Sequence, residues 1–268
     1  MLIDINAYVG NWPFQQLKYN TCEALYTRMN KFGVDISVIS NLNGIFYKNT
    51  QSSNEELFEE IRSNRKFKDR FIPYAVINPI YAGWQDDLET CIKTYGFKGV
   101  RLYPSYHDYE ILDPSCIELV KRVRDYGLPV VFNFRMEDTR QRSWIDTAYV
   151  KNNVIREWNL KNILPIVNVV PDAKYIIVNF ANAAKLDAEE LSLVKKTNLL
   201  FDTSGRAITN MTDFIKQFGE DKFAFGTHSP ILDYLTGLLR IESLLPNEAN
   251  ENTKELLRSG NAKILLGL

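Results

Sequence analysis

Apolar positions follow two alternating rhythms along the chain. Short runs with every second residue apolar, or apolar throughout, read as strands. Between them lie longer stretches with apolar residues three and four apart, which read as helices. The strands fall at Leu2–Val9, 36–40, 71–78, 99–104, 129–135, 174–181, 199–205 and 223–230. "NTCEALYTRMNKFG" opens with Asn20 and Glu23 at capping-box spacing and stops at Gly33. Ser53 and Glu56 repeat that spacing, and "DPSCIELVKRVRDYG" places Asp113 as N-cap, Pro114 first in the helix and Gly127 past its end. A further helix is expected near 147–159. Strands alternating with helices over about 250 residues predict a single (β/α)8 TIM barrel, one α/β domain over 1–268. A doubly wound open sheet fits less well, because "VGNWPF" after the first strand is not a Gly-rich phosphate loop.

Barrel strands point alternate residues inward, and site residues gather at their C-terminal ends. Parity assigns the late inward positions to Asp4, Asn6 and Tyr8 on the first strand and Asn78 on the third. On the fourth and fifth it gives Arg101, Tyr103, Asn133 and Arg135. On the last three it gives Asn179, Asp202 with Ser204 and nearby Arg206, and His228. A buried polar group without a partner costs about 1–3 kcal/mol. A polar ring at the mouth therefore points to a ligand site.

Composition narrows the partners. The chain has 268 residues, 45% hydrophobic and 24% charged, with formal net charge -1. No basic stripe suits nucleic acid, and no apolar run approaches the roughly 18 residues of a membrane span. Cys22, Cys91 and Cys116 lack metal-ligand spacing and sit in helical patterns. They read as buried reduced thiols, so a cytoplasmic location is expected. A homo-oligomer is compatible with the sequence.

The strand ends resemble the amidohydrolase superfamily, in its branch of hydrolases, lactonases and decarboxylases. "IDINAYVG" is similar to that family's "IDxHxHxG", and "GFKGVRLYPSYHDYEILDP" closely resembles its fourth-strand block. "GLPVVFNFR", "PDAKYIIVNFAN", "LLFDTSG", "FAFGTHSP" and "GNAKILLGL" match the later blocks in order. The resemblance implies a metal held by histidines of strands one, five and six and an aspartate of strand eight. Those positions here are Asn6, Tyr8, Asn133, Asn179 and His228. Neutral amides are poor ligands for such ions, so the expectation is a polar pocket with no metal and no other cofactor.

Three arginines, Arg101, Arg135 and Arg206, suit bidentate recognition of a carboxylate or phosphate. The expected ligand is a small anionic molecule, held by Asn6, Arg101, Tyr103, His107, Arg135, Asn179 and Asp202. Trp12, Phe14, Phe46 and Tyr106 could wall a ring. His228 is the candidate acid or base, because histidine ordinarily titrates near neutral pH; Tyr8 and Asn133 are candidates to polarise a carbonyl. Three readings stay open: a metal-independent enzyme of lactonase or isomerase type, a catalytically inactive relative that binds a ligand or partner, and an enzyme whose metal is supplied unconventionally, for which His228 and Asp202 offer a weak site.

Overall fold

The computed structural model describes residues 1–133, 136, 150–151, 154–155, 160–179, 186–204 and 210–268. The barrel strands are β1 (Ile3–Val9), β2 (Ile36–Asn41), β3 (Phe71–Pro73, resumed by Ala75–Val76), β4 (Val100–Leu102), β5 (Pro129–Asn133), β6 (Lys174–Val178), β7 (Leu199–Asp202) and β8 (Phe223–Ala224). Neighbours in this order pair in parallel from β1 to β8. β3 changes partner at Tyr74, whose N–H donates to Ile39 O at 2.8 Å, before Ala75 N–H donates to Gly99 O at 2.9 Å. The ring closes between the β8 end and β1 through Ile5 N to Phe225 O at 2.9 Å, His228 N to Asn6 O at 2.7 Å and Tyr8 N to Ser229 O at 2.8 Å. The fold is the expected (β/α)8 barrel.

Burial sorts the side chains into three layers. Outward strand residues such as Ala7, Val100, Leu102, Val130, Phe132 and Phe201 pack under the helices. Ile3, Ile5, Val38, Tyr74, Val131, Ile176, Val178 and Leu200 fill the lower barrel interior. Tyr8, Trp12, Leu42, Ile45, Val76, Tyr103, Met136 and Ile231 form an apolar cluster at the mouth.

That sorting corrects two parity assignments. In β1 the inward set begins with Ile3 and Ile5, not Asp4. The pairing with β2 then slips: Asp4 faces Ser37 while Ala7 faces Ile39, so two residues on β1 have no counterpart where β2 has one. Such a bulge reverses the alternation. It turns Asn6 and Tyr8 inward and leaves Asp4 at the β1–β8 seam, where it accepts hydrogen bonds from Thr227 N and Oγ1. In β6 the inward residues are Ile176 and Val178, so Asn179 is out of phase and sits in the turn beyond the strand with φ 52°.

Helix starts also moved. Thr21, not Asn20, caps Cys22–Phe32 by accepting from Ala24 N. Asn20 O instead accepts from Gly10 N, tying down the exit of β1. The helix Gln51–Arg62 begins before Ser53, whose hydroxyl donates to Thr50 O. Asp113 makes no cap bond; its carboxylate accepts from Glu110 N. Around 147–159 the described residues are extended: Val150–Lys151 pairs antiparallel with Val154–Ile155. β-Branched residues favour that geometry, and the helix follows later, at Leu160–Val169. The three cysteines are free and buried. No helix among the described residues is long and apolar enough to cross a membrane.

Candidate functional site

The ends of β4, β7 and β8 converge on Asn6 of β1. Its Oδ1 accepts from Arg101 Nη1 at 2.8 Å. Its Nδ2 lies 2.6 Å from Asp202 Oδ2, 3.2 Å from Ser204 Oγ and 3.1 Å from His228 Nδ1. One amide thus links a buried cation to a buried carboxylate. Asp202 also accepts from Ser204 Oγ, and from Asn179 N at 2.8 Å. Burial raises the Asp202 carboxyl above its ordinary range, opposed by these donors, Ser204 and Asn6 foremost.

The contact with Asn6 sets the state of His228. Nδ1 faces an N–H donor and must accept, so the ring proton sits on Nε2, which faces Met136 O at 3.3 Å. Burial pushes the imidazole down to about 3. The ring is neutral near pH 7, and its titration lies well below the neutral range expected from the sequence. It stands edge-on to Tyr8, centroids 5.1 Å apart.

Arg101 is fully buried. Its Nη1 reaches Tyr8 Oη at 2.6 Å and Asn133 Oδ1 at 3.4 Å, and the guanidinium lies over the Tyr8 ring at 4.5 Å. Among the described residues, Nε and Nη2 have no hydrogen-bond partner, and neither does the buried Tyr103 hydroxyl. The Tyr8 oxygen accepts from both Arg101 and Asn133 Nδ2, the latter at 2.6 Å, so its own proton is left to donate elsewhere. Burial raises Tyr8 to about 12, so it keeps that proton. The mouth therefore presents donors without acceptors beside a desolvated positive charge. That arrangement suits an anion with several oxygens.

The remaining candidates fall elsewhere. His107 Nε2 lies 3.0 Å from Gly44 O and anchors the loop after β2. Burial lowers it to about 4, so it too is neutral. Asn78 Oδ1 accepts from Ile80 N in its own turn. Trp12, Phe14, Phe46 and Tyr106 join in successive ring contacts 5.4–6.0 Å apart, and Tyr106 meets Tyr103 at 6.4 Å. Arg135 and Arg206 lie outside the described residues. Sequence reading missed Met136, whose carbonyl meets His228, and Gly226, where a Cβ would come within 2.8 Å of Asp202 and 3.2 Å of Asn6 Cβ. The only trace of the latter is a glycine inside an apolar strand.

Residues 21–148 match the family model described as amidohydrolase. The amidohydrolase resemblance holds. Solved barrels agree along the whole chain. The 2,6-dihydroxybenzoate decarboxylase from Rhizobium superposes with TM-score 0.73 at 14% identity, covering 99% of this chain and 98% of its own. The dihydroxybenzoic acid decarboxylase from Polaromonas, with bound manganese and the inhibitor 2-nitroresorcinol, gives TM-score 0.73 at 16% identity over 100% and 97%. A mutant 5-carboxyvanillate decarboxylase from Novosphingobium aromaticivorans, with manganese and 3-methoxy-4-hydroxy-5-nitrobenzoic acid, gives TM-score 0.68 at 12% identity over 100% and 97%. At these identities the likeness establishes the amidohydrolase-type fold alone. No curated protein matches the sequence.

The comparison corrects the expectation that a divalent metal is foreign to this chain. That expectation rested on Asn6, Tyr8, Asn133, Asn179 and His228, yet two barrels of this amidohydrolase-like fold hold manganese. Within this chain, no group of three or more His, Cys, Asp or Glu among the described residues is placed to hold a metal ion. Asp202 and His228 both face the Asn6 N–H2, and Arg101 faces its carbonyl. The described donors alone do not fit a divalent cation in that arrangement.

Proposed function

We propose that the barrel mouth binds a small carboxylated molecule and acts on it, with Arg101 as the carboxylate anchor. The supporting observation is a fully buried guanidinium whose Nε and Nη2 lack partners among the described residues. An unpaired buried charge is costly, and a bound carboxylate would offset that cost with charge-assisted hydrogen bonds. Tyr8 would donate to the ligand while Asn133 and Arg101 hold its oxygen, and Tyr103 would supply a further hydroxyl. Asn6 would keep Arg101, Asp202 and His228 in register. Arg135, His107 and Asn179 would serve binding or loop placement.

The solved barrels with this fold are named for decarboxylation of aromatic acids. Loss of carboxylate from an aromatic ring is therefore favoured here over lactone opening or isomerisation. The test is turnover and calorimetric binding of 2,6-dihydroxybenzoate, 5-carboxyvanillate and a lactone, each with and without added manganese. Arg101→Met should weaken carboxylate binding by about 2–5 kcal/mol. Unaltered affinity in that variant would remove the proposal.

A second reading, binding without turnover, draws support from His228. It is neutral and engaged at both nitrogens, so near pH 7 it carries no imidazolium proton to give and offers no free nitrogen to take one. Clear turnover of any substrate that depends on the mouth would end it.

A further inference from the structure

The opposite pole of the barrel holds a cavity of 780 Å³. It lies where β3, β4 and β5 begin, since Phe71, Lys98 and Pro129 all line it. Its volume is within the roughly 300–1,000 Å³ of small-molecule sites. The walls are apolar: Phe58 stacks on Tyr95 with centroids 4.3 Å apart, and Phe97, Leu128 and Leu266 complete the lining. Gly96, Gly127 and Gly267 leave bare backbone there, with nothing within 4 Å of where a Cβ would stand.

The charged side chains of the lining are all cations: Arg62, Lys68 and Lys98. Arg62 is paired with Glu59 at 3.1 Å. Neither Lys68 nor Lys98 has an acidic partner among the described residues. An apolar chamber rimmed by unpaired ammonium groups is complementary to an amphiphile with a negative head. We propose that this pole binds a small amphiphilic anion, its apolar body among Phe58, Tyr95, Phe97 and Leu128 and its head between Lys68 and Lys98. The site is independent of the mouth and of the function proposed for it.

Titration calorimetry with dodecanoate below its micelle concentration tests this, with dodecylamine as the charge control. One saturable dodecanoate site per chain is expected, with no dodecylamine binding. The double variant Lys68→Glu/Lys98→Glu changes only exposed side chains and should weaken dodecanoate roughly ten-fold. Leu128→Trp should fill the chamber and abolish binding, with circular dichroism to confirm folding. Arg101→Met, at the other pole, should bind dodecanoate as the parent does. Absence of saturable binding, equal binding of dodecylamine, indifference to the lysine reversals, or loss of binding in Arg101→Met would each overturn the proposal.

Discussion

Asn6 shows how much one amide can organise. It bonds to a cation through its oxygen and to Asp202, Ser204 and His228 through its nitrogen. Asn6→Ala would take a partner from Arg101, Asp202, Ser204 and His228 together. Each such loss costs about 1–3 kcal/mol, so denaturant melts should show a drop of at least about 3 kcal/mol. A loss below about 1 kcal/mol would show that the hub is not structural. Asp4 makes a second prediction at this scale. Burial raises its carboxyl from 3.8 to about 6. The folded state therefore binds its proton before the unfolded state does. This group's contribution is fully present below pH 3.8 and is lost as pH rises to about 6. His228 and His107 work in the opposite sense: lowered to about 3 and about 4, they cost stability as pH falls from 6.5. Asp4→Asn keeps an acceptor for Thr227 but cannot titrate. The difference in stability between parent and variant should therefore shift in the parent's favour between pH 6 and pH 4, by up to about 3 kcal/mol. A pH-independent difference would refute the assigned titration.

Among the elements, β1 and the end of β8 decide the site. The bulge between Asp4 and Ala7 puts Ile5 and Asn6, adjacent in sequence, into the lower core and the mouth. Parity read from the sequence named Asn6 and Tyr8 correctly, but it reached them through Asp4, which the bulge places elsewhere. On β4, β5 and β7 the alternation is regular, and Arg101, Asn133 and Asp202 stand where it puts them. Gly226 carries a steric prediction. A Cβ there would press on Asp202 Cβ and Oδ2, both 2.8 Å away. The carboxylate cannot yield without leaving Asn6. Gly226→Ala should cost about 1–3 kcal/mol in thermal or denaturant unfolding, and should weaken carboxylate binding at the mouth. Retention of both would show that β8 has room to shift.

For the whole molecule, closure of the ring creates two poles of opposite design. The mouth holds a buried cation among hydroxyls and amides. The base holds an apolar chamber with cations on its rim. Because both described histidines are neutral near pH 7 and an arginine stays charged, histidine titration should leave carboxylate affinity at the mouth unchanged between pH 6.5 and pH 8. A sigmoidal loss of affinity centred near pH 7 in calorimetry would show that a titrating group, rather than Arg101, governs recognition.

Local pattern alone determined the alternation of strand and helix, the barrel it implies, and the polar character of the strand ends. Those follow from side-chain periodicity and from turn residues a few positions apart. Tertiary structure decided which polar residues meet. Asn6 and Asp202 are 196 residues apart and touch only because the ring closes. The bulge in β1, the neutral state of His228 and the orphaned donors of Arg101 likewise depend on register and burial. Both arise from contacts between distant segments, which no local run of sequence contains.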